Sequence, residues 1–159
     1  MVVAWRIVKR KHAKKAFTSE GARLFGGRWN SPGVAMVYTA ESQSLAALEI
    51  AVHLESADLL EKYVVFEVGI DDRLISRLDL KRLAKNWLSD AAECQEIGDA
   101  WIAAGSSVAL QVPSATIPAE SNFLLNPRHP DSSRLKIGQP QPFRFDPRLA
   151  RGGRDVPRS

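Results

Sequence analysis

Arg28 and Trp29 lie among turn-formers in GGRWNSPG, residues 26–33. A plain hairpin uses glycine or asparagine at such a place and has no need of a cation and a large aromatic as well. Two readings compete: a surface turn with incidental side chains, or a loop that presents Arg28 to an anion. Glu49 is a second residue out of place. On a helix over 41–56, at about 100° per residue, Leu45, Leu48 and Val52 form an apolar stripe. Glu49 falls on its edge, four residues after Leu45, with Ala46 and His53 on its other side. A tolerated edge position or a helix salt bridge would be the bland explanations. No Lys or Arg, however, sits three or four residues away on this helix to pair with it. A carboxylate near a core is costly unless something binds it, which makes Glu49 a candidate functional group.

Two further residues could share a cleft with it. Tyr38 ends the strand before that helix. Alone it reads as a core tyrosine with its hydroxyl at the rim, yet only a short turn separates it from the helix that carries Glu49. VPSATIPAESNFLLNPRHP (112–130) sets prolines around small hydroxyl residues and two asparagines. It reads either as a surface connector or as a stiff loop rich in hydrogen-bonding groups. Ser114 directly follows Pro113, so its backbone is restricted.

The elements that must position these residues follow from periodicity. VVAWRIV (2–8), VAMVYTA (34–40), YVVFEVGI (63–70), SVALQV (107–112, ended by Pro113) and NFLLN (122–126, closed by Pro127) read as strands, with FRFD (143–146) a further one. KRKHAKKAF reads as one helical turn or loop. ESQSLAALEIAVHLES (41–56) reads as a helix capped by Ser42, and 72–104 as helical, roughly 73–88 and then 91–104, stopped by Gly105. Strands before, between and after helices, with no βαβ alternation, predict an α+β fold with a mixed or antiparallel sheet. The chain of 159 residues shows no repeat and no linker, and reads as one domain over 1–150 with a flexible tail at 151–159.

Composition narrows the function. With 45% apolar and 25% charged residues, the chain has the make-up of a soluble globular protein. Its formal charge of +4 permits phosphate or nucleic-acid partners without demanding them. The cations gather in 6–15 and in the tail rather than on one helical face, and no helix-turn-helix pattern occurs, which disfavours direct DNA reading. One cysteine, Cys94, excludes an internal disulfide or a thiolate cluster, and His12, His53 and His129 lack metal-ligand spacing, so no metal is expected. No secretory leader and no membrane-spanning apolar run is visible, and a cytoplasmic location is expected. The common nucleotide cradles and the G-x-S-x-G nucleophile elbow are absent.

Taken in order, GGRWNSPG, VYTA, SLAALEIAVHL, VPSA and NFLLNPRHP strongly resemble the RES domain family, named for its arginine, glutamate and serine. The resemblance runs from WRI near the start to PFRFDPRL near the end. It implies a bacterial toxin that consumes NAD as substrate, with a compact mixed sheet similar to ADP-ribosyltransferase toxins. It further implies an Xre-type helix-turn-helix antitoxin as partner, a homodimer within the larger complex, and contact with DNA only through that antitoxin. Carried over residue by residue, the active-site candidates are Arg28, Tyr38, Glu49 and Ser114, with Ser121 the alternative serine. Trp29 and Asn30 are carried over beside Arg28 as cofactor-binding candidates that serve chiefly to shape the loop, with Asn126 a weaker contact candidate. A glycine-flanked arginine suits the pyrophosphate of NAD. Glu49 suits the positive charge that develops on the ribose when the nicotinamide bond breaks.

Overall fold

The computed structural model describes residues 1–149. In chain order these form β1 (Val2–Lys9), α1 (Glu20–Phe25), β2 (Val37–Ala40), α2 (Gln43–Ala51), β3 (Tyr63–Ile70), β4 (Ile75–Arg77), α3 (Ala91–Ala104), β5 (Ala109–Pro113), β6 (Ser121–Leu125), β7 (Lys136–Ile137) and β8 (Gln141–Phe143), with short 3-10 turns between them. The strands join in one sheet of order β4-β5-β6-β2-β1-β3-β7, and β8 pairs with the other end of β3. Every pairing is antiparallel except β4–β5, so the expected mixed, mainly antiparallel α+β architecture is what the chain adopts.

The longest ladder joins β1 to β3 over eight residues, from Val2 opposite Ile70 to Lys9 opposite Tyr63. Every residue of YVVFEVGI except Glu67 is buried, which accounts for its continuous apolar run. By contrast β1 meets β2 at a single register pair, Trp5 opposite Ala40. Ala4, Val68 and Ile70 from one half of the sheet share a core with Val37, Ala109, Phe123 and Leu125 from the other. Helix α2 covers Ile7, Ala40 and Val65 through Leu45 and Ala46. Helix α3 covers Leu110, Val112 and Leu124 through Cys94 and Trp101.

Three expectations need correction. The span 73–88 is not helical: it holds β4 and short 3-10 turns at 72–74, 80–82 and 87–89. Asp71, Asp79 and Asp90 each accept a hydrogen bond from the backbone N–H two residues on, a local closure that competes with helix propagation. Only 91–104 is helical, and it stops at Gly105 as expected. Helix α2 is shorter than 41–56, though Ser42 caps it through Leu45 N–H at 3.0 Å. Its buried face also differs. Leu48 and Val52 are 38% and 39% exposed, whereas Leu45, Ala46 and Ala51 are buried. A helix apolar on nearly every side, SLAALEIA, leaves periodicity no contrast with which to choose a face. Finally, the last strand covers 141–143 rather than 143–146, and Phe145 turns into the core. The short helix α1 carries no sequence signal of the kind used above. The proposed tail at 151–159 lies outside the described residues.

Candidate active site

The loop 26–33 is built from the inside. Gly27 N–H donates to Asn30 O at 2.9 Å, closing a tight turn around Arg28 and Trp29. Asn30 is fully buried and saturated: its amide donates to Ala22 O (2.8 Å) and Val34 O (3.0 Å), and its Oδ1 accepts from the Tyr38 hydroxyl at 2.5 Å. That hydroxyl in turn accepts from Trp29 N–H at 2.9 Å. Burial pushes the Tyr38 phenol well above its ordinary range, so it stays a neutral donor. Helix α3 clamps the loop from behind. Asp99 accepts from Ser31 N–H (3.0 Å) and Ser31 Oγ (2.6 Å), and Gln95 donates to Gly27 O (3.0 Å). Two glycines permit this approach: a Cβ on Gly98 would stand 1.7 Å from Trp29 O, and one on Gly27 2.6 Å from Tyr38 Oη. Trp29 is a buried anchor in the α3 core beside Trp87. Its side chain and that of Asn30 are therefore committed to the loop's own structure.

Arg28 lines the cleft, and its guanidinium turns toward Trp87 and Cys94 at the cleft's α3 side. Its Nη2 donates to Trp87 O and its guanidinium lies 5.5 Å from the Trp87 ring centroid. Its Nε is buried and is the one side-chain polar atom among the described residues with no hydrogen-bond partner in that state. Such a donor is costly to leave unmade, and an acceptor brought to this loop would relieve it.

Glu49 sits across the cleft, half-buried on α2. Asn122 Nδ2 donates to its Oε1 at 2.8 Å and Ser114 Oγ to its Oε2 at 3.2 Å, so each carboxylate oxygen is held by one donor. Ser114 is fully buried, and its Oγ accepts from the N–H groups of Thr116 and Ile117 at 3.1 and 3.2 Å, which fixes the hydroxyl proton toward Glu49. Ser121 is elsewhere, its Oγ accepting from Gln111. Burial raises the Glu49 pKa above the ordinary carboxylate value; the bonds from Asn122 and Ser114 oppose the rise and nearby Glu120 adds to it.

Arg28, Tyr38, Glu49 and Asn122 line one cleft of about 420 Å³, together with Arg6 and His53. A second hollow of about 680 Å³ adjoins it, sharing Arg6, Glu49 and His53 and rimmed by Lys9, His12 and Lys15. Asn126 is not brought there. It lines a separate hollow with Gly33, Asp99 and His129, its Oδ1 accepting from Arg128 N–H. Two cleft residues escaped sequence reasoning. Asn122 opens the apolar run of β6 and is buried like Phe123, Leu124 and Leu125 after it; an amide heading a run buried on both faces was the available signal. Arg6, inside the apolar run of β1, donates to Ala16 O (2.6 Å) and Tyr38 O (3.0 Å), and burial lowers its pKa to about 10. Among the described residues no three His, Cys, Asp or Glu side chains gather as metal ligands, and no helix is long and apolar enough to cross a membrane.

This geometry has relatives. The chain is 41% identical over 151 residues to "Toxin Res" of Yersinia enterocolitica, covering 93% of this chain and 99% of that protein. It is 36% identical over 155 residues to the "Prs ADP-ribosylating toxin" of Sphingobium sp., covering 92% and 96%. Its fold matches a chain in the crystal structure of the M. tuberculosis MbcT–MbcA toxin–antitoxin complex, with a TM-score of 0.73 at 22% identity over 98% of this chain and 90% of that one. The RES domain model spans residues 3–146, from β1 past β8, and the chain belongs to the RES domain family.

Proposed function

We propose that the chain is a toxin that cleaves NAD at the nicotinamide–ribose bond, with Glu49, Ser114, Arg28 and Tyr38 at its active site. One observation carries this reading: a carboxylate with a fixed donor on each oxygen lines the same cleft as an arginine whose buried Nε–H lacks a partner. As nicotinamide leaves with the bonding pair, positive charge develops on the ribose until water or phosphate bonds to its anomeric carbon, and an ionised Glu49 stabilises that charge without having to reorganise. Ser114 and Asn122 hold the carboxylate and favour its ionised form. Arg28 supplies a planar fork of donors for the pyrophosphate, and its Nε gains the partner it lacks. Tyr38 carries the loop of Arg28 through Trp29 N–H and Asn30 and offers a ring wall to the cleft.

The toxin assignment draws support from the names of the Yersinia and Sphingobium relatives, and the antitoxin partner from the complex that contains the structural neighbour. On this reading an Xre-type antitoxin silences the chain, and two copies associate within the complex. The Sphingobium name favours a second reading of the same site, in which ADP-ribose passes to a protein. Purified chain incubated with NAD should release nicotinamide, and Glu49→Gln should abolish the release. Mass spectrometry of induced cells separates the two readings: a falling NAD pool without labelled protein supports cleavage, and an ADP-ribosylated protein beside an undiminished pool supports transfer. No nicotinamide release in either setting would remove both.

A further inference from the structure

A hollow of about 730 Å³ on the described surface shares no lining residue with the cleft of Arg28 and Glu49. Its floor and lip are apolar: Leu59, Leu60, Val64, Phe143, Phe145 and the prolines 140, 142 and 147. Its size lies within the range of about 300–1,000 Å³ typical of ligand-binding hollows. Four cations surround it, Arg10, Lys14, Lys62 and Arg144, and none belongs to an ion pair among the described residues. The contrast within one segment is informative. Lys9, Lys11 and Lys15 are paired with Asp58, Glu61 and Glu20, while Arg10 and Lys14 between them are left to the hollow. Glu61, the one carboxylate in its lining, is already neutralised by Lys11 at 3.0 Å. Arg144 has no carboxylate to itself, since Asp146 is bonded to Arg148 at 2.8 Å.

From this we infer that the hollow is a docking site for an acidic segment of a partner protein that carries an apolar anchor side chain. Charge selects the occupant. A second copy of the chain would bring a net charge of +4 against four cations. The chain's own residues 150–159 hold three arginines and one aspartate, the same unfavourable sign. The apolar part argues for peptide over nucleic acid. Tyr63, Phe143 and Phe145 pack edge-to-face on one another, at 86° and 79°, so the rings are engaged with each other. The lip left open is aliphatic, led by Leu60 at 89% exposure. Stacking of bases requires open aromatic faces, whereas an aliphatic lip suits a leucine or phenylalanine side chain. Pro140 and Pro142 lack the N–H needed to extend the sheet at β8, so recognition there rests on side chains rather than on an added strand.

The test uses the full chain and a fluorescein-labelled twelve-residue peptide of Glu and Asp with one Leu and one Phe. Comparison probes are the same peptide with Ser at both apolar places and a labelled twelve-nucleotide oligo-dT. Anisotropy should show saturable binding of the first peptide and weaker binding of the Ser version. Lys62→Glu with Arg144→Glu should weaken it roughly tenfold, about threefold for each exposed pair lost. Leu60→Ser should weaken it as well, with circular dichroism and melting temperature unchanged in both variants. The inference is overturned by absence of peptide binding, by binding that neither variant alters, or by tighter binding of oligo-dT. Sedimentation in which these variants convert a dimer to a monomer would instead identify the face as a self-interface and overturn it too. None of these outcomes depends on NAD chemistry, so the inference and the proposed function fail separately.

Discussion

Asn122→Leu tests how the carboxylate is tuned. The amide donates to Glu49 Oε1 at 2.8 Å, close to the ideal length for a charge-assisted bond, and it is buried. Hydrogen bonds to charged groups contribute about 1.5–3 kcal/mol. Losing this bond removes that much preference for the ionised form and raises the Glu49 pKa further. The sign follows from which form the bond favours. Asn122 donates to the ionised carboxylate and opposes the rise due to burial, so its removal strengthens that rise. If ionised Glu49 is the working form, the acidic limb of kcat against pH should move upward, and kcat at high pH should largely recover. Asn122→Asp should move the limb at least as far, because it sets a second carboxylate against the first. The second bond of the amide, to Thr39 O at 3.3 Å, is weaker and bears on stability rather than on the pH profile. Nicotinamide release measured across the pH range, beside thermal melts of each variant, gives the result. A lowered melting temperature with an unshifted acidic limb would refute the idea that Asn122 tunes Glu49 and leave it a packing residue.

Glu49→Gln should raise thermal stability while removing turnover. A carboxyl whose folded pKa is raised stabilises the fold below its unfolded pKa and loses that contribution as pH rises through the folded value. The melting-temperature gain of the variant over wild type should therefore grow from acidic to neutral pH, and a gain constant with pH would contradict it. Arg28→Lys keeps the charge but loses the fork and the Trp87 cation–π contact, so the KM for NAD should rise with the loss of about 1.5–3 kcal/mol of binding; steady-state kinetics in which lysine substitutes fully would show that only charge matters. Gly98→Ala places a methyl 1.7 Å from Trp29 O in a backbone clamp; it should cost at least the 1–3 kcal/mol typical of overpacking and displace the Arg28 loop, seen as a lower melting temperature together with a higher KM.

What the sequence determined by itself is local. Ser42 caps α2 and Gly105 ends α3 because each interaction closes within about one helical turn of its own residue. The strand runs were legible because short apolar, β-branched runs bounded by turn-formers report on a buried pleat without reference to its partner. Glu49 was detectable as a carboxylate without an i±4 cation, and Arg28 as a cation in a turn that had no need of one. Tertiary structure decided what those residues meet. Ser114 lies 65 residues from Glu49 in the chain and Asn122 lies 73, and the pairing of β2 with β6 brings the strand carrying Asn122 beside the helix that follows β2. No periodicity reaches that far, so the choice of Ser114 over Ser121 at Glu49, and the part played by Asn122, were out of local reach. The loop-shaping part read for Trp29 and Asn30 agrees with their burial, whereas Asn126 is carried by its own strand end to another hollow. The span 73–88 read as helical, while the aspartate turns and the parallel edge pairing with β5 took the chain another way. Side-chain spacing records which faces a segment can offer, and long-range pairing selects among them.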